Sequence, residues 1–332
     1  MKIAINGFGR IGRNTFKILF GQEDVEIVAI NDLTDAKTLA HLLKYDSSYG
    51  TYNRQVTFDN ENLSIDGRLI RLYSESDPVN LPWAEHNIDV VIESTGFFTD
   101  PEKARAHITA GAKKVIISAP LKGVGAKTIV LGVNDQDLTP EDDIISNASC
   151  TTNCIAPVMK VLEDYFGIEK AMMTTAHSYT SSQRILDAPS RDLRAARSAA
   201  VSIIPGTTGA SKATALVIPS LENKFAGLSF RVPTPVVSIS DITAVLKRPT
   251  TKEELNNTFK QAASEANYQG ILSVSEEPLV STDYKGSPYS SIVDLELTDV
   301  VGGDLVKVVA WYDNEWGYSN RLAELTVKAG RL

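Results

Sequence analysis

The sequence predicts an α/β protein in two parts: a doubly wound, mostly parallel sheet, then an α+β domain built on a large mixed, mostly antiparallel sheet. Three observations predict it. A strand, a glycine-rich turn, a helix and a second strand follow one another near the start of the chain. Strands and helices then keep alternating as far as Ser146. Beyond Tyr165 the chain changes to long β-rich runs with few helices. With 332 residues, 43% of them hydrophobic and 22% charged, it is long enough for two hydrophobic cores.

The elements follow in order. Lys2 to Asn6 reads as a short strand, and Arg10 to Phe20 carries Ile11, Phe16, Ile18 and Leu19 at helical spacing before Gly21 stops it. Val25 to Ile30 returns as a strand, closing a βαβ unit whose crossover should be right-handed. Ile88 to Glu93, Lys114 to Ser118, Thr128 to Leu131 and Ile144 to Ser146 are further strands. A helix between the first two of these has marked borders: Asp100 as N-cap, Pro101 at the first position, Glu102 facing the dipole and Gly111 at the close. A helix beginning near Cys150 is expected to reach about Tyr165. Gly227 to Val232, Val236 to Leu246, Ser290 to Leu297 and Leu305 to Trp311 read as strands of the second sheet. Among them, Thr251 and Glu254 form a capping box for a helix lined by Leu255, Phe259, Ala262 and Ala266 and ended by Gly270. Asn320 to Val327 reads as an amphipathic helix whose pattern alone allows return to either domain. The expected boundaries are 1–149 for the first domain, with a C-terminal helix of about 314–332 returning to it, and 150–313 for the second. No internal repeat or flexible linker interrupts them.

A net charge of -8 repels phosphodiester backbones and acidic lipid, so nucleic acid is not expected as the main partner, nor a membrane. The first residues lack a charged, apolar and small-residue leader pattern, and no apolar run spans a bilayer; a cytoplasmic protein is expected. Only two cysteines fit a reducing compartment.

Gly7-Phe8-Gly9-Arg10-Ile11-Gly12 matches the G-x-G-x-x-G dinucleotide fingerprint, and its position after a strand and at the start of a helix makes the match specific. The glycines permit a tight turn, close approach to a pyrophosphate and close helix–strand packing, which marks the first part as a Rossmann domain. The helix N-terminus would hold the negative charge. Asp32, at the end of the second strand, can accept hydrogen bonds from both ribose hydroxyls and would repel a 2'-phosphate, so NAD is the expected cofactor.

Cys150 and Cys154 stand four residues apart in Ser149-Cys150-Thr151-Thr152-Asn153-Cys154, where a strand gives way to a helix. On a helix their Cβ atoms would lie roughly 5 to 6 Å apart, against roughly 3.8 Å in a disulfide. No further Cys or His cluster completes a metal site, so no metal is expected. That leaves Cys150 as a nucleophile, or both residues as small buried hydrophobes. A thiol at its ordinary pKa is only about 3% ionised at neutral pH, and a helix N-terminus supplies about 0.3 to 1 kcal/mol, so a basic partner must do most of the activation. Of four histidines, His41 and His107 fall in expected helices and His86 in a polar loop, and these read as surface or packing residues. His177 ends the strand-like run Met172 to Ala176 and precedes a hydroxyl-rich loop, where sites form. It is the candidate base.

These motifs, with His177-Ser178-Tyr179-Thr180 and Trp311-Tyr312-Asp313-Asn314-Glu315-Trp316-Gly317-Tyr318, closely resemble the phosphorylating glyceraldehyde-3-phosphate dehydrogenase family, in order and from Lys2 to the C-terminal helix. The resemblance implies that Cys150 attacks the aldehyde of glyceraldehyde 3-phosphate, that His177 removes the proton of the hemithioacetal, and that inorganic phosphate cleaves the resulting thioester to give 1,3-bisphosphoglycerate. By position it implies that Thr180 and Arg231 bind the substrate phosphate, and that Ser149, Thr151, Thr208 and Gly209 bind the attacking one. Thr95, Gly96 and Ser118 correspond to cofactor contacts, Asn314 to the residue orienting the nicotinamide amide, and Tyr318 lies beside it. Arg191, Arg194 and Arg197 recur every three residues as a helical face would, yet the matching family segment is a loop packed between subunits, which implies a homotetramer. The apolar content of Pro205 to Pro235 permits such an assembly.

The chain departs from the family pattern at Ser76, where many relatives have an arginine near the adenine, at Ala176 in place of a valine, and in the Leu121 to Lys127 loop. None of these removes a catalytic group. Three rival readings stand beside the main one: an erythrose-4-phosphate dehydrogenase that releases an acid by hydrolysis, an enzyme that prefers NADP, against which Asp32 argues, and a non-catalytic NAD-responsive protein with a redox-sensing Cys150.

Overall fold

In the computed structural model, which describes all residues from Met1 to Leu332, the strand Lys2–Asn6 lies in the middle of a nine-stranded sheet. It pairs in parallel with Glu26–Asn31 on one side and Val90–Glu93 on the other. Lys114–Ile117 and Ile144–Ser146 extend the parallel set beyond Val90–Glu93, and Arg68–Tyr73 extends it beyond Glu26–Asn31. Strand order therefore reverses beside the first strand, which puts a switch point at its C-terminal end. Ile3, Ala4, Ile5, Ile30, Val91 and Ile92 are wholly buried, as near-continuous apolar strands covered on both faces require.

Several elements differ from the sequence reading. The helix expected after Asp100 is two short helices, Pro101–Ala104 and Ala106–Thr109, although Asp100 does cap the first by accepting from Glu102 N. Of the run Thr128 to Leu131 only Thr128 is in a paired strand, together with Lys127 before it; Ile129 and Val130 are buried beyond the strand. A helix, Ala36–Lys44, and two antiparallel strands at one side of the sheet, Asn62–Ile65 and the edge strand Val56–Phe58, were not read from the sequence.

The second sheet has eight strands and is mixed, mostly antiparallel. Ile168–Ser178 lies inside it, parallel to Phe225–Val232 and antiparallel to Ser238–Leu246, which in turn pairs with Leu305–Tyr312. Helix Cys150–Phe166 packs on this sheet and buries Cys154, Ile155, Val158 and Leu162. The capping box is half formed: Thr251 accepts from Glu254 N, while the Glu254 carboxylate goes instead to Arg248 and Thr250. That helix ends at Ser264, and Ala266 falls in a separate 3-10 turn. Arg191, Arg194 and Arg197 lie in turns rather than on a helix, with Arg197 paired to Asp187. The last helix runs Trp316–Gly330, longer at both ends than its apolar pattern. The chain divides into one unit of 1–129, 136–148 and 319–332 and another of 130–135 and 149–318. No helix is long and apolar enough to cross a membrane.

Candidate active site

In the first unit the glycine turn packs as its residue types demand. Gly7 has φ +91 and its Cα faces the Thr95 backbone so closely that a Cβ would come within 2.6 Å of Thr95 N. A Cβ on Gly12 would lie 2.2 Å from Gly7 O. At Gly9, by contrast, a Cβ would meet nothing within 4 Å, and Gly9 caps helix Arg10–Leu19. The turn is tight where it touches protein and open where an anion would approach the helix N-terminus.

A cleft of about 480 Å³ opens there, and Gly7, Gly9, Asp32 and Thr95 line it. Asp32 Oδ2 accepts from Phe8 N at 2.7 Å and Oδ1 from Thr34 N at 2.9 Å, which fixes the carboxylate at the rim of the glycine turn. Arg10, Ile11, Gly12, Gly96 and Ser118 are not on the cleft walls; Arg10 turns to Asp46 at 3.3 Å. The walls also include Asn6, Asn31, Glu75, Ser76, Phe97 and Phe98. Of these only Ser76 was singled out from sequence; the two phenylalanines follow Gly96 directly, and that adjacency was the available signal. The residues fit an adenine dinucleotide: a carboxylate for ribose hydroxyls, an open glycine for the pyrophosphate and apolar walls.

In the second unit, helix Cys150–Phe166 begins with Ser149 as N-cap, its hydroxyl accepting from Thr152 N at 3.1 Å. Cys150 is thereby the first helical residue, mostly buried, while Cys154 one turn on is fully buried against Ser291. Both are free thiols. His177 arrives at the end of Ile168–Ser178, and its Nε2 lies 3.3 Å from Cys150 Sγ. Arg231 stands opposite His177 in the parallel register of the neighbouring strand.

The imidazole has two claimants at Nδ1. Ser178 O, an acceptor, lies at 2.7 Å, and Arg231 Nη1, a donor, at the same distance. Only one can bond to a given tautomer. A proton on Nδ1 satisfies Ser178 O and leaves Nε2 to accept from the thiol, while Arg231 donates to Ser178 O at 3.2 Å. Burial and the Arg231 guanidinium pull His177 down to about 3. Burial also pushes the Cys150 thiol up, opposed by Arg231 and by hydrogen bonds from Thr151. Moving the proton from Sγ to Nε2 creates opposite charges 3.3 Å apart, whose attraction is about 5 kcal/mol at an effective dielectric of about 20. That exceeds the helix-dipole contribution several-fold, so the histidine weighs more on the thiol than the helix does, while burial of both groups opposes the ion pair. Cys154 has no such partner, and burial raises it to about 12.

The residues expected to bind anions are less uniform. Thr208 Oγ1 accepts from Ala210 N, and Gly209 opens helix Ala210–Val217, where a Cβ would meet no atom within 4 Å. Thr180 Oγ1 bonds within its own loop to Ser182 and Gln183. The Thr151 hydroxyl turns inward to Tyr312 at 3.0 Å, and Tyr312 also reaches Thr175 and stands edge-on to the His177 ring. Asn314 Oδ1 accepts from Ser238 Oγ at 3.0 Å; Tyr318 is buried.

A glycine-turn dinucleotide cleft in one unit and a helix-start thiol paired with histidine in the other define a nicotinamide-dependent oxidoreductase that works through a cysteine. Residues 1–101 match the NAD binding domain of glyceraldehyde 3-phosphate dehydrogenase and residues 149–314 its C-terminal domain. The chain is similar to glyceraldehyde-3-phosphate dehydrogenase of Geobacillus stearothermophilus, 56% identical over 326 residues that cover 98% of this chain and 97% of that one. It is 54% identical to glyceraldehyde-3-phosphate dehydrogenase of Borreliella burgdorferi over 334 residues, 99% of each. A chloroplastic relative from Arabidopsis thaliana is 54% identical over 330 residues, 98% of this chain and 74% of that one. The chain belongs to the glyceraldehyde-3-phosphate dehydrogenase family, and its cofactor is NAD.

Proposed function

We propose that the chain oxidises glyceraldehyde 3-phosphate and couples the oxidation to inorganic phosphate, yielding 1,3-bisphosphoglycerate, with Cys150 as nucleophile and His177 as base. The observation that carries this is the 3.3 Å approach of His177 Nε2 to a thiol at a helix start. The Cys150 sulfur bonds to the aldehyde carbon as its proton passes to His177, which hands it on to the former carbonyl oxygen, giving a hemithioacetal and a neutral imidazole. His177 then accepts the hydroxyl proton of that adduct, and the Cys150 backbone N–H at the helix start supports negative charge on its oxygen. NAD, when bound, supplies the hydride acceptor. The thioester left on Cys150 is cleaved by phosphate, whose oxygen takes the acyl carbon while the sulfur departs as thiolate. Arg231 and Thr180 are assigned to the phosphate of the substrate, and Ser149, Thr151, Thr208 and Gly209 to the attacking phosphate. For Thr151 the backbone N–H, not the inward hydroxyl, suits that role.

Gly7, Gly9, Arg10, Ile11, Gly12, Asp32, Thr95, Gly96, Ser118, Asn314 and Tyr318 are assigned to NAD. A homotetramer in the cytoplasm completes the reading. It is supported by Ile185, Leu186, Leu193, Val201 and Ile203, large apolar side chains left at least 68% exposed along one segment, which a subunit contact would cover.

Rates of NADH formation with glyceraldehyde 3-phosphate or erythrose 4-phosphate, each with and without phosphate, test the reaction. Turnover should need glyceraldehyde 3-phosphate and phosphate together. Equal turnover without phosphate would make the chain a hydrolytic dehydrogenase, and no turnover with either aldehyde would leave only a binding protein.

A further inference from the structure

Below the dinucleotide cleft runs a buried chain of hydrogen bonds that the reaction does not use. Glu93, His107, Trp83, Asn6 and Asn31 are all at most 4% exposed. Of the two readings its helical position allowed, surface or packing, His107 takes the second. Trp83 Nε1, which can only donate, lies 3.0 Å from His107 Nδ1, so the His107 proton sits on Nε2. Nε2 then donates to Glu93 Oε2 at 3.1 Å. Asn6 Nδ2 donates to the same oxygen at 2.6 Å, and Asn6 Oδ1 accepts from Asn31 Nδ2 at 2.7 Å. Asn31 in turn grips the Glu75 backbone, accepting from its N at 2.8 Å and donating to its O at 2.9 Å. The other Glu93 oxygen, Oε1, accepts from Thr95 N at 2.8 Å and from the Thr95 hydroxyl, and Thr95 Oγ1 accepts from Phe97 N at 3.1 Å.

All four partners of Glu93 are donors, so both oxygens serve as acceptors, which a carboxylate provides and an amide does not. The two oxygens serve two walls of one cleft: Oε1 winds the Thr95–Phe97 loop, and Oε2 reaches through Asn6 and Asn31 to Glu75, next to Ser76. We propose that Glu93 is a positioning residue for NAD, one buried carboxylate that holds both walls of the cofactor cleft in register, with His107 and Trp83 fixing the proton pattern around it. The inference rests on the reading of this cleft as the NAD site.

The test uses the full chain with Glu93→Gln, Trp83→Phe and, as a control for the cleft itself, Asp32→Ala. NAD affinity is read by calorimetry, KM and kcat by NADH formation, and the state of the second unit by the rate of Cys150 alkylation. Glu93→Gln sets an amide nitrogen against donors, and misplaced buried donors cost enough to raise the Kd and KM for NAD about tenfold. The effect should fall on KM for NAD, with kcat lowered by no more than about twofold and the KM for the aldehyde held. Trp83→Phe, which lines no part of the cleft, frees the His107 tautomer and should raise KM for NAD about threefold. If Glu93→Gln does not fold, the Trp83→Phe shift decides alone. The inference is overturned if Asp32→Ala weakens NAD while Glu93→Gln and Trp83→Phe leave it within about twofold. It is overturned equally if NAD affinity, aldehyde KM and alkylation all change together, as general loosening would cause. If Asp32→Ala also leaves NAD affinity intact, the cleft reading fails and the inference with it.

Discussion

At the scale of single residues, the protein makes its two cysteines unequal. Cys150 has a histidine at 3.3 Å and an arginine next to that histidine; Cys154 has a serine hydroxyl and burial that raises it to about 12. His177→Asn removes the group assigned to take the thiol proton and leaves the upward push of burial opposed only by Arg231 and Thr151. The pH midpoint for Cys150 alkylation should therefore move up, and turnover should fall about 10²- to 10⁴-fold. An unchanged midpoint would mean that the imidazole does not hold the thiolate. Cys150→Ser should be essentially inactive. The sequence pointed to this pair because a helix start and a strand end are legible from capping and apolar pattern. Arg231 at Nδ1 was not legible as a neighbour of the base, because it comes from strand register, a long-range fact that no local spacing records. Nor was the inward turn of the Thr151 hydroxyl, which Tyr312 dictates from far along the chain.

At the scale of elements, the glycine turn separates fold from function residue by residue. Gly12→Ala would drive a methyl to 2.2 Å from Gly7 O, so the turn must open and the variant should lose stability, read as a lower Tm, along with NAD binding. Gly9→Ala meets no protein atom and should keep its Tm within about 2 °C, yet raise the Kd for NAD several-fold because the methyl stands where the pyrophosphate would approach. A lower Tm for Gly9→Ala with unchanged affinity would contradict the assignment. Elements with clear periodicity and caps were readable, such as Arg10–Leu19 and Lys252–Ser264. Those missed carry weaker signals. Val56–Phe58 buries none of its three residues; Ala36–Lys44 is short, and its signal is the Asp35 N-cap with Leu39, Ala40 and Leu43 on one face. The run Ile129 to Leu131 errs the other way: it is buried, but an apolar run packs as readily outside a sheet as in it.

At the scale of the whole molecule, the proposed assembly and the proposed chemistry each have a direct reading. Light scattering of the purified protein should give about four times the 36.1 kDa chain mass; a monomer would leave the exposed apolar segment from Ile185 to Ile203 without its cover. Division of labour between a dinucleotide unit and a thiol unit explains why the fold class was legible from patterns alone: each unit has its own sheet, and each sheet type leaves its own signature. The central claim is that the oxidised substrate is held as a thioester on Cys150. The most direct measurement is intact and peptide mass spectrometry after mixing the protein with NAD and glyceraldehyde 3-phosphate in the absence of phosphate. The expected result is one burst of NADH per site and a 3-phosphoglyceroyl adduct on the Cys150 peptide that disappears when phosphate is added. A burst with no adduct, or an adduct on Cys154, would contradict the account.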